Sequence, residues 1–121
     1  MALAVGADLV AISRIAALIE RYGERFTQRV FTDHEREDCA GRIESLAARW
    51  AAKEAVAKAL GTGIGRVAFR EIEVISGEGG RPELALHGRA LALAAEQGLT
   101  SWALSLSHES GLALAFVVAV G

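Results

Sequence analysis

Lys53, Glu54 and Lys58 fall within two helical turns of one another in WAAKEAVAKALGTG, Trp50 to Gly63, a stretch that is otherwise almost all alanine and ends in glycines. A helix apolar nearly all round is normally buried, and charges on it are costly unless something pairs with them. Glu54 and Lys58 are four apart in the order that favours a helical ion pair of about 0.2–0.5 kcal/mol, whereas Arg49 and Lys53 at the same spacing repel. One interpretation is that Arg49, Lys53 and Lys58 snorkel from a helix edge while Glu54 balances them. The other is that the surplus positive charge meets an anionic ligand and Glu54 meets a cation. The run GTGIG, opening with Gly61, Thr62 and Gly63, would then offer free backbone N–H groups to phosphate oxygens, and the alanines would let a second backbone or a ligand approach closely. Its glycine spacing matches neither the Walker pattern nor the dinucleotide fingerprint, so the loop alone specifies no nucleotide.

Asp8, in VGADLV at the mouth of the first strand, supplies a second carboxylate. Its ordinary duty would be to cap the helix that follows. A lone Asp and a lone Glu from separate elements are also the sparse carboxylate set that Mg²⁺ prefers when phosphates and waters complete its octahedron. His108, in SLSHES at a strand end, stands beside the hydroxyl of Ser107, a donor of the kind a phosphate site needs, although a histidine in a turn is commonly just solvated. Two carboxylates, several basic groups and glycine loops together point to phosphoryl chemistry.

The elements that must position these groups can be read from periodicity. Met1 to Gly6 reads as a short buried strand, and after Asp8 the residues Ile12, Ile15, Leu18 and Ile19 recur at helical spacing to about Tyr22. In FTDHEREDC, Glu35 follows Thr32 by three, a capping box that opens a second short helix. The long helix is expected from about Ile43 to Leu60, stopped by Gly61, with Leu46, Trp50, Ala57 and Leu60 on one stripe, Lys53 in its middle and Glu54 along its edge. From Arg66, VAFREIEVIS alternates as a strand, GEGGRP is turn chemistry and ELALHG resumes extended structure, a hairpin. Arg89 to Gln97 is a helix ended by Gly98; SWALSLS puts Trp102, Leu104 and Leu106 on one face of a strand, and HESG turns it into LALAFVVAV. The order predicts an α+β fold, one domain over residues 1–121, with a largely antiparallel sheet packed against the long helix.

Composition narrows the classes. A chain 52% apolar and 23% charged with one proline is neither disordered nor of low complexity, and a net charge of −2 gives no overall basic field to draw it onto nucleic acid. Cys39 is the only cysteine, which excludes an intrachain disulfide and suits a reducing compartment. MALAVGADLV lacks the basic n-region of a secretory signal, and LALAFVVAV is about half the roughly 20 apolar residues of a membrane helix. A cytoplasmic protein with no nucleic-acid or membrane partner is expected.

VGADLVAISRI, FTDHERE, LAARWAAKEAVAKALGTGIG, GGRPELALHG and WALSLSHES, in this order and spacing, resemble holo-acyl-carrier-protein synthase, the small bacterial type of 4′-phosphopantetheinyl transferase, over nearly the whole chain. Ala7 and Trp50 depart from the usual residues, Trp50 standing where phenylalanine is common. The resemblance implies the phosphopantetheinyl transferase fold and transfer of 4′-phosphopantetheine from coenzyme A to a serine of apo acyl carrier protein, releasing adenosine 3′,5′-bisphosphate. It implies Mg²⁺ held by Asp8 and Glu54, with Lys58 beside the pyrophosphate. Arg49, Gly61, Thr62, Gly63, Gly80, Arg81, Pro82, Ser107 and His108 match the family's coenzyme A surface, His108 near the 3′-phosphate. The carrier serine must lose a proton, and either Glu54 or a metal-bound water could take it. Family members are homotrimers whose site lies between subunits, so the carboxylates and His108 would come from different chains.

Docking can be argued from charge. The first helix is expected to present Arg14, Arg21 and Arg25 as a row, and acyl carrier proteins are acidic helical bundles that such a row would steer in. An ordinary solvated face is the alternative. Two rival functions, a coenzyme A binding module without catalysis and a Mg²⁺-dependent nucleotide hydrolase, fit less well. The first does not need Asp8, Glu54 and Lys58 together, and the second lacks a His or Asp cluster to hold its water.

Overall fold

The apolar segments at the two ends of the chain pair with each other. In the computed structural model, which describes all 121 residues, β1 (Leu3–Ala11) runs antiparallel to β5 (Leu112–Val120), and β5 pairs in turn with β4 (Ser101–Glu109), giving the order β1-β5-β4. Between them come α1 (Ile12–Tyr22), α2 (Glu24–Val30), α3 (Asp33–Cys39), the long α4 (Ile43–Ala59), the antiparallel pair β2 (Ile72–Ser76) and β3 (Pro82–Leu86), and α5 (Gly88–Glu96). The expected α+β architecture is therefore present, with every ladder antiparallel but divided into a sheet of three strands and a sheet of two.

Strand alternation gives the larger sheet two unlike faces. Ala113, Ala115, Val117 and Ala119 are fully buried on the inner face, against which α4 lies, while Leu3, Val5, Leu9, Leu112, Leu114, Phe116 and Val120 are exposed on the outer one. The alanines of α4 explain the close approach: a Cβ added to Gly6 of β1 would fall 2.0 Å from the carbonyl oxygen of Ala55. Helix backbone and strand backbone touch there, so neither side has room for a larger residue.

Several expectations are corrected. The first strand extends to Ala11, so Asp8 lies inside it, opposite Ala115, and caps nothing; Ala11 is the residue before α1 and makes no side-chain cap. The second strand begins only at Ile72, because Phe69 to Glu71 forms a 3₁₀ turn whose Glu71 carboxylate accepts the Ala68 N–H at 2.6 Å and the Arg89 N–H at 2.5 Å. His108 stands within β4, and the turn is Ser110 and Gly111. The capping box of Thr32 and Glu35 is formed, and Gly61, with φ of 78°, follows the end of α4.

Lys53 does not snorkel, and its charge is taken up inside the protein. It is fully buried, and its ammonium donates to Glu35 Oε1 at 2.7 Å and to the carbonyl oxygens of Phe69 and Ile72 at 3.0 and 2.5 Å. Glu35, also fully buried, accepts the backbone N–H groups of Thr32 and Val74, each at 2.9 Å. Burial pulls the Lys53 ammonium below its ordinary value of 10.5 while the Glu35 carboxylate pulls it back up. This ion pair locks α4, α3 and β2 to one another.

Candidate active site

Asp8 on β1 and Glu54 and Lys58 on α4 converge on the open side of the helix. Lys58 Nζ donates to Asp8 Oδ1 at 2.8 Å and to the Ala7 carbonyl at 3.2 Å, so the lysine's partner is Asp8 across the strand–helix contact rather than Glu54 along the helix. Half of the Lys58 side chain remains exposed. Glu54 is half-buried with no hydrogen bond and no ion pair. Burial first, and then the charge of Asp8, push its carboxyl above the usual carboxylate range, against the opposing pull of Lys58 and Arg14.

A half-buried Glu54 carboxylate beside the charge of Asp8 forms a site that a hard cation would relieve. No group of three or more His, Cys, Asp or Glu side chains is arranged to hold a metal ion by itself. An ion here would take two carboxylate ligands and complete its shell with substrate oxygens and water, which suits Mg²⁺.

A cleft of about 570 Å³ gathers Arg49, Ser76, Gly80, Arg81 and Pro82 against Leu104 to Leu106 of β4. The fold thus brings Arg49 of α4 to Gly80, Arg81 and Pro82, at the turn leading into β3 and 31 or more positions further along the sequence. Arg49 Nη2 donates to Ser76 Oγ at 3.1 Å and lies 3.7 Å from Asp38 Oδ2, while its Nε is buried without a partner. Two guanidinium groups on one cleft suit a phosphorylated ligand. Asp8, Ala115 and Leu106 lie in register across three strands, which sets the carboxylates two strands from this cleft.

The glycine loop is organised differently from the sequence expectation. Of the amides of Gly61 to Gly65, Gly61 donates to Lys58 and Thr62 and Gly63 both donate to Ala57, closing the end of α4, while Gly65 donates to Val67 and only Ile64 keeps its N–H free. Thr62 Oγ1 likewise donates to the Gly63 carbonyl at 2.9 Å. Ser107 and His108 are exposed and alternate along β4, Ser107 in register with Leu114 on the outer face and His108 with the buried Ala113. Within one chain they face opposite ways and join neither the carboxylates nor the cleft.

The arginine row is broken. Arg14 and Arg21 lie on α1, but Gly23, with φ of 57°, ends that helix, and Arg25 belongs to α2. The bend opens a groove of about 520 Å³ between Leu18, Tyr22, Arg25, Phe26 and Arg29. Arg29 escaped the sequence reading although it follows Arg25 by four, the spacing that puts both on one helix face. Glu35 escaped as the partner of Lys53 because its capping role already accounted for it.

The 4′-phosphopantetheinyl transferase superfamily model matches residues 4–117. A holo-[acyl-carrier-protein] synthase of Herpetosiphon aurantiacus is 50% identical, over 98% of this chain and 99% of its own. Among solved structures, the synthase of Neisseria meningitidis aligns with a TM-score of 0.86 at 42% identity, over 98% of both chains. That of Helicobacter pylori, solved in complex with coenzyme A, aligns with a TM-score of 0.88 at 31% identity, over 96% of this chain and 99% of its own. With the fold, the two carboxylates and the arginine cleft in place, these likenesses show that the chain belongs to the 4′-phosphopantetheinyl transferase superfamily, in its holo-[acyl-carrier-protein] synthase family.

Proposed function

We propose that the protein transfers 4′-phosphopantetheine from coenzyme A to a serine hydroxyl of apo acyl carrier protein and releases adenosine 3′,5′-bisphosphate. The observation that carries this is the convergence of Asp8, Glu54 and Lys58, with Glu54 left unpartnered. The relative solved with coenzyme A supports the choice of donor.

In the reaction the serine oxygen bonds to the phosphorus of the pantetheine phosphate, and the bond from that phosphorus to the oxygen bridging the nucleotide breaks. Mg²⁺ held by Asp8 and Glu54 would neutralise charge on the pyrophosphate. Glu54, unpartnered within the chain, could receive the serine proton directly or through a water. Lys58, exposed and tied only to the Asp8 carboxylate and the Ala7 carbonyl, is free to turn to the departing oxygen and stabilise or protonate it. Arg49, Arg81, Gly80 and Pro82 would bind the nucleotide end of coenzyme A in their cleft, and Gly61, Thr62 and Gly63, which follow Lys58 at the end of α4, would contact the ligand nearer the pyrophosphate.

Ser107 and His108 would complete the site of a neighbouring copy. The outer face of the three-stranded sheet, with Leu3, Val5, Leu9, Leu114 and Phe116 exposed, is an apolar surface of the kind that oligomers cover, and a homotrimer with the site between subunits accounts for both features. Phe116→Glu should leave monomers by light scattering and abolish transfer; a wild-type chain that is monomeric at working concentration would remove the shared site. The exposed Arg14, Arg21 and Arg25, with the groove beside them, would dock the acidic carrier. The cytoplasm is the proposed location. Incubation with coenzyme A, Mg²⁺ and an apo carrier should raise the carrier's intact mass by one phosphopantetheinyl group. An unchanged carrier mass, with coenzyme A still bound, would leave only a binding module.

A further inference from the structure

Arg14 is exposed on α1, makes no ion pair and no side-chain hydrogen bond, and yet has a defined seat. Its Cζ lies 5.4 Å from the centre of the Trp50 ring, within the range of a cation–π contact. Trp50 is 8% exposed, and Phe69 fixes the ring edge-on with centroids 5.0 Å apart. Its indole N–H is buried without a partner. A phenyl ring would fill much of this space without orphaning a donor, so hydrogen bonding gives no reason for an indole here. What an indole offers over a phenyl is the strongest face for a cation.

The position of the ring matters as much as its type. Trp50 and Glu54 are four apart on α4 and therefore neighbours on one side of the helix, and the Arg14 charge acts on the Glu54 carboxylate. Arg14 thus stands where the arginine-bearing α1 meets the reacting end of α4. A free arginine loses considerable rotamer freedom when a partner captures it, and ordering it beforehand removes part of that cost.

Resting on the transferase function proposed above, we propose that Trp50 is a positioning residue for carrier docking: its face holds the Arg14 guanidinium ready beside Glu54, so that the acidic carrier meets an arginine already in place. Trp50 itself touches neither the carrier's serine nor coenzyme A.

The test is a double-mutant cycle on the Michaelis constant for apo carrier, using Trp50→Leu, Arg14→Ala and their combination, with Trp50→Phe as the conservative variant. Trp50→Leu should raise that constant about two- to fivefold, the effect of a cation–π contact of about 0.5–1 kcal/mol, and Trp50→Phe should raise it less. The Michaelis constant for coenzyme A should not move, and in the Arg14→Ala background Trp50→Leu should add nothing. A Trp50→Leu effect of equal size with and without Arg14, or one shared equally by coenzyme A, overturns the proposal. Should Trp50→Leu fail to fold, the cycle with Trp50→Phe decides by the same criterion. A second readout uses Trp102→Phe, which leaves Trp50 as the only indole. Carrier addition should change Trp50 emission, and Arg14→Ala should abolish the change; an identical response without Arg14 overturns the proposal as well. A wild-type chain that leaves the carrier unmodified defeats the transferase function and this inference together, whereas normal modification with additive effects defeats only the inference.

Discussion

Two polar clusters flank α4, and they differ in how completely their hydrogen bonds are used. On the buried side Lys53 has three acceptors, Glu35 accepts from two backbone N–H groups besides Lys53, and Thr32 Oγ1 continues outward to Glu73 at 2.6 Å, which also meets His87 at 3.0 Å. On the open side Asp8 meets Lys58 alone among side chains, and Glu54 meets nothing. A saturated cluster has no valence left for a ligand and its work is structural. An unsaturated one holds charge that a metal and a phosphate can still engage. Two lysines of one helix, each paired with an acid from another element, thus serve two ends, and burial decides which.

The comparison breaks first at Lys53. Lys53→Met should cost about 3–5 kcal/mol of stability, because it strands a buried Glu35 carboxylate. Adding Glu35→Leu should recover only part of it, since the Thr32 and Val74 N–H groups then lose their acceptor. Denaturant unfolding measures both, and a loss under about 1 kcal/mol for the single variant would show that the pair contributes little.

On the open side the order of effects reverses. Glu54→Gln should lower turnover by about 10²–10³-fold, roughly 3–4 kcal/mol of barrier, with the fold intact. Asp8→Asn should do the same, and the two together should cost far less than their sum because they serve one ion. Lys58→Ala should lower turnover by about 10²-fold yet leave the Mg²⁺ dependence unchanged. Mg²⁺ titration of activity with circular dichroism separates these cases; normal turnover in Glu54→Gln would return the open cluster to a mere surface charge group.

The smallest effect sharpens the boundary of the saturated cluster. Burial alone would raise the Glu73 carboxyl, but the hydrogen bonds from Thr32 and His87 outweigh it and hold the group below its ordinary value of 4.5. A carboxyl lowered in the folded state contributes stability that is present above pH 4.5 and lost as pH falls through the folded value. Glu73→Gln should therefore be less stable than the wild type by about 1 kcal/mol at pH 7, with the gap closing below pH 4.5. A gap independent of pH in thermal unfolding would assign the loss to shape instead of charge.

Local signals carried the sequence reading a long way. The Thr32 and Glu35 capping box, the stop at Gly61, the helical period of Ile12 to Ile19 and the alternation of Trp102, Leu104 and Leu106 each depend on residues a few positions apart, and each was legible. So was the gathering of Asp8, Glu54 and Lys58 in one place, because their motif is specific. Less legible was anything set by a free choice of partner. The amides of GTGIG looked available because a sequence does not show that the carbonyls of Ala57 and Lys58 lie within reach. Arg25 looked like part of the first helix because its four-residue spacing from Arg21 fits a continuous helix, and that spacing ignores the break at Gly23.

By itself the sequence determined the family and the element order apart from α2, since propensity, capping and periodicity act between near neighbours. Tertiary structure alone decided that Lys53 is buried against Glu35, 18 positions away, while Lys58 stays exposed against Asp8, 50 positions away. It alone turned Asp8 inward opposite Ala115, set Arg14 over Trp50, and sent Ser107 and His108 to opposite sides of β4. The reason is the same in each case: strand register and helix packing choose which distant groups meet, and the low dielectric of the interior then fixes what a charge there must do.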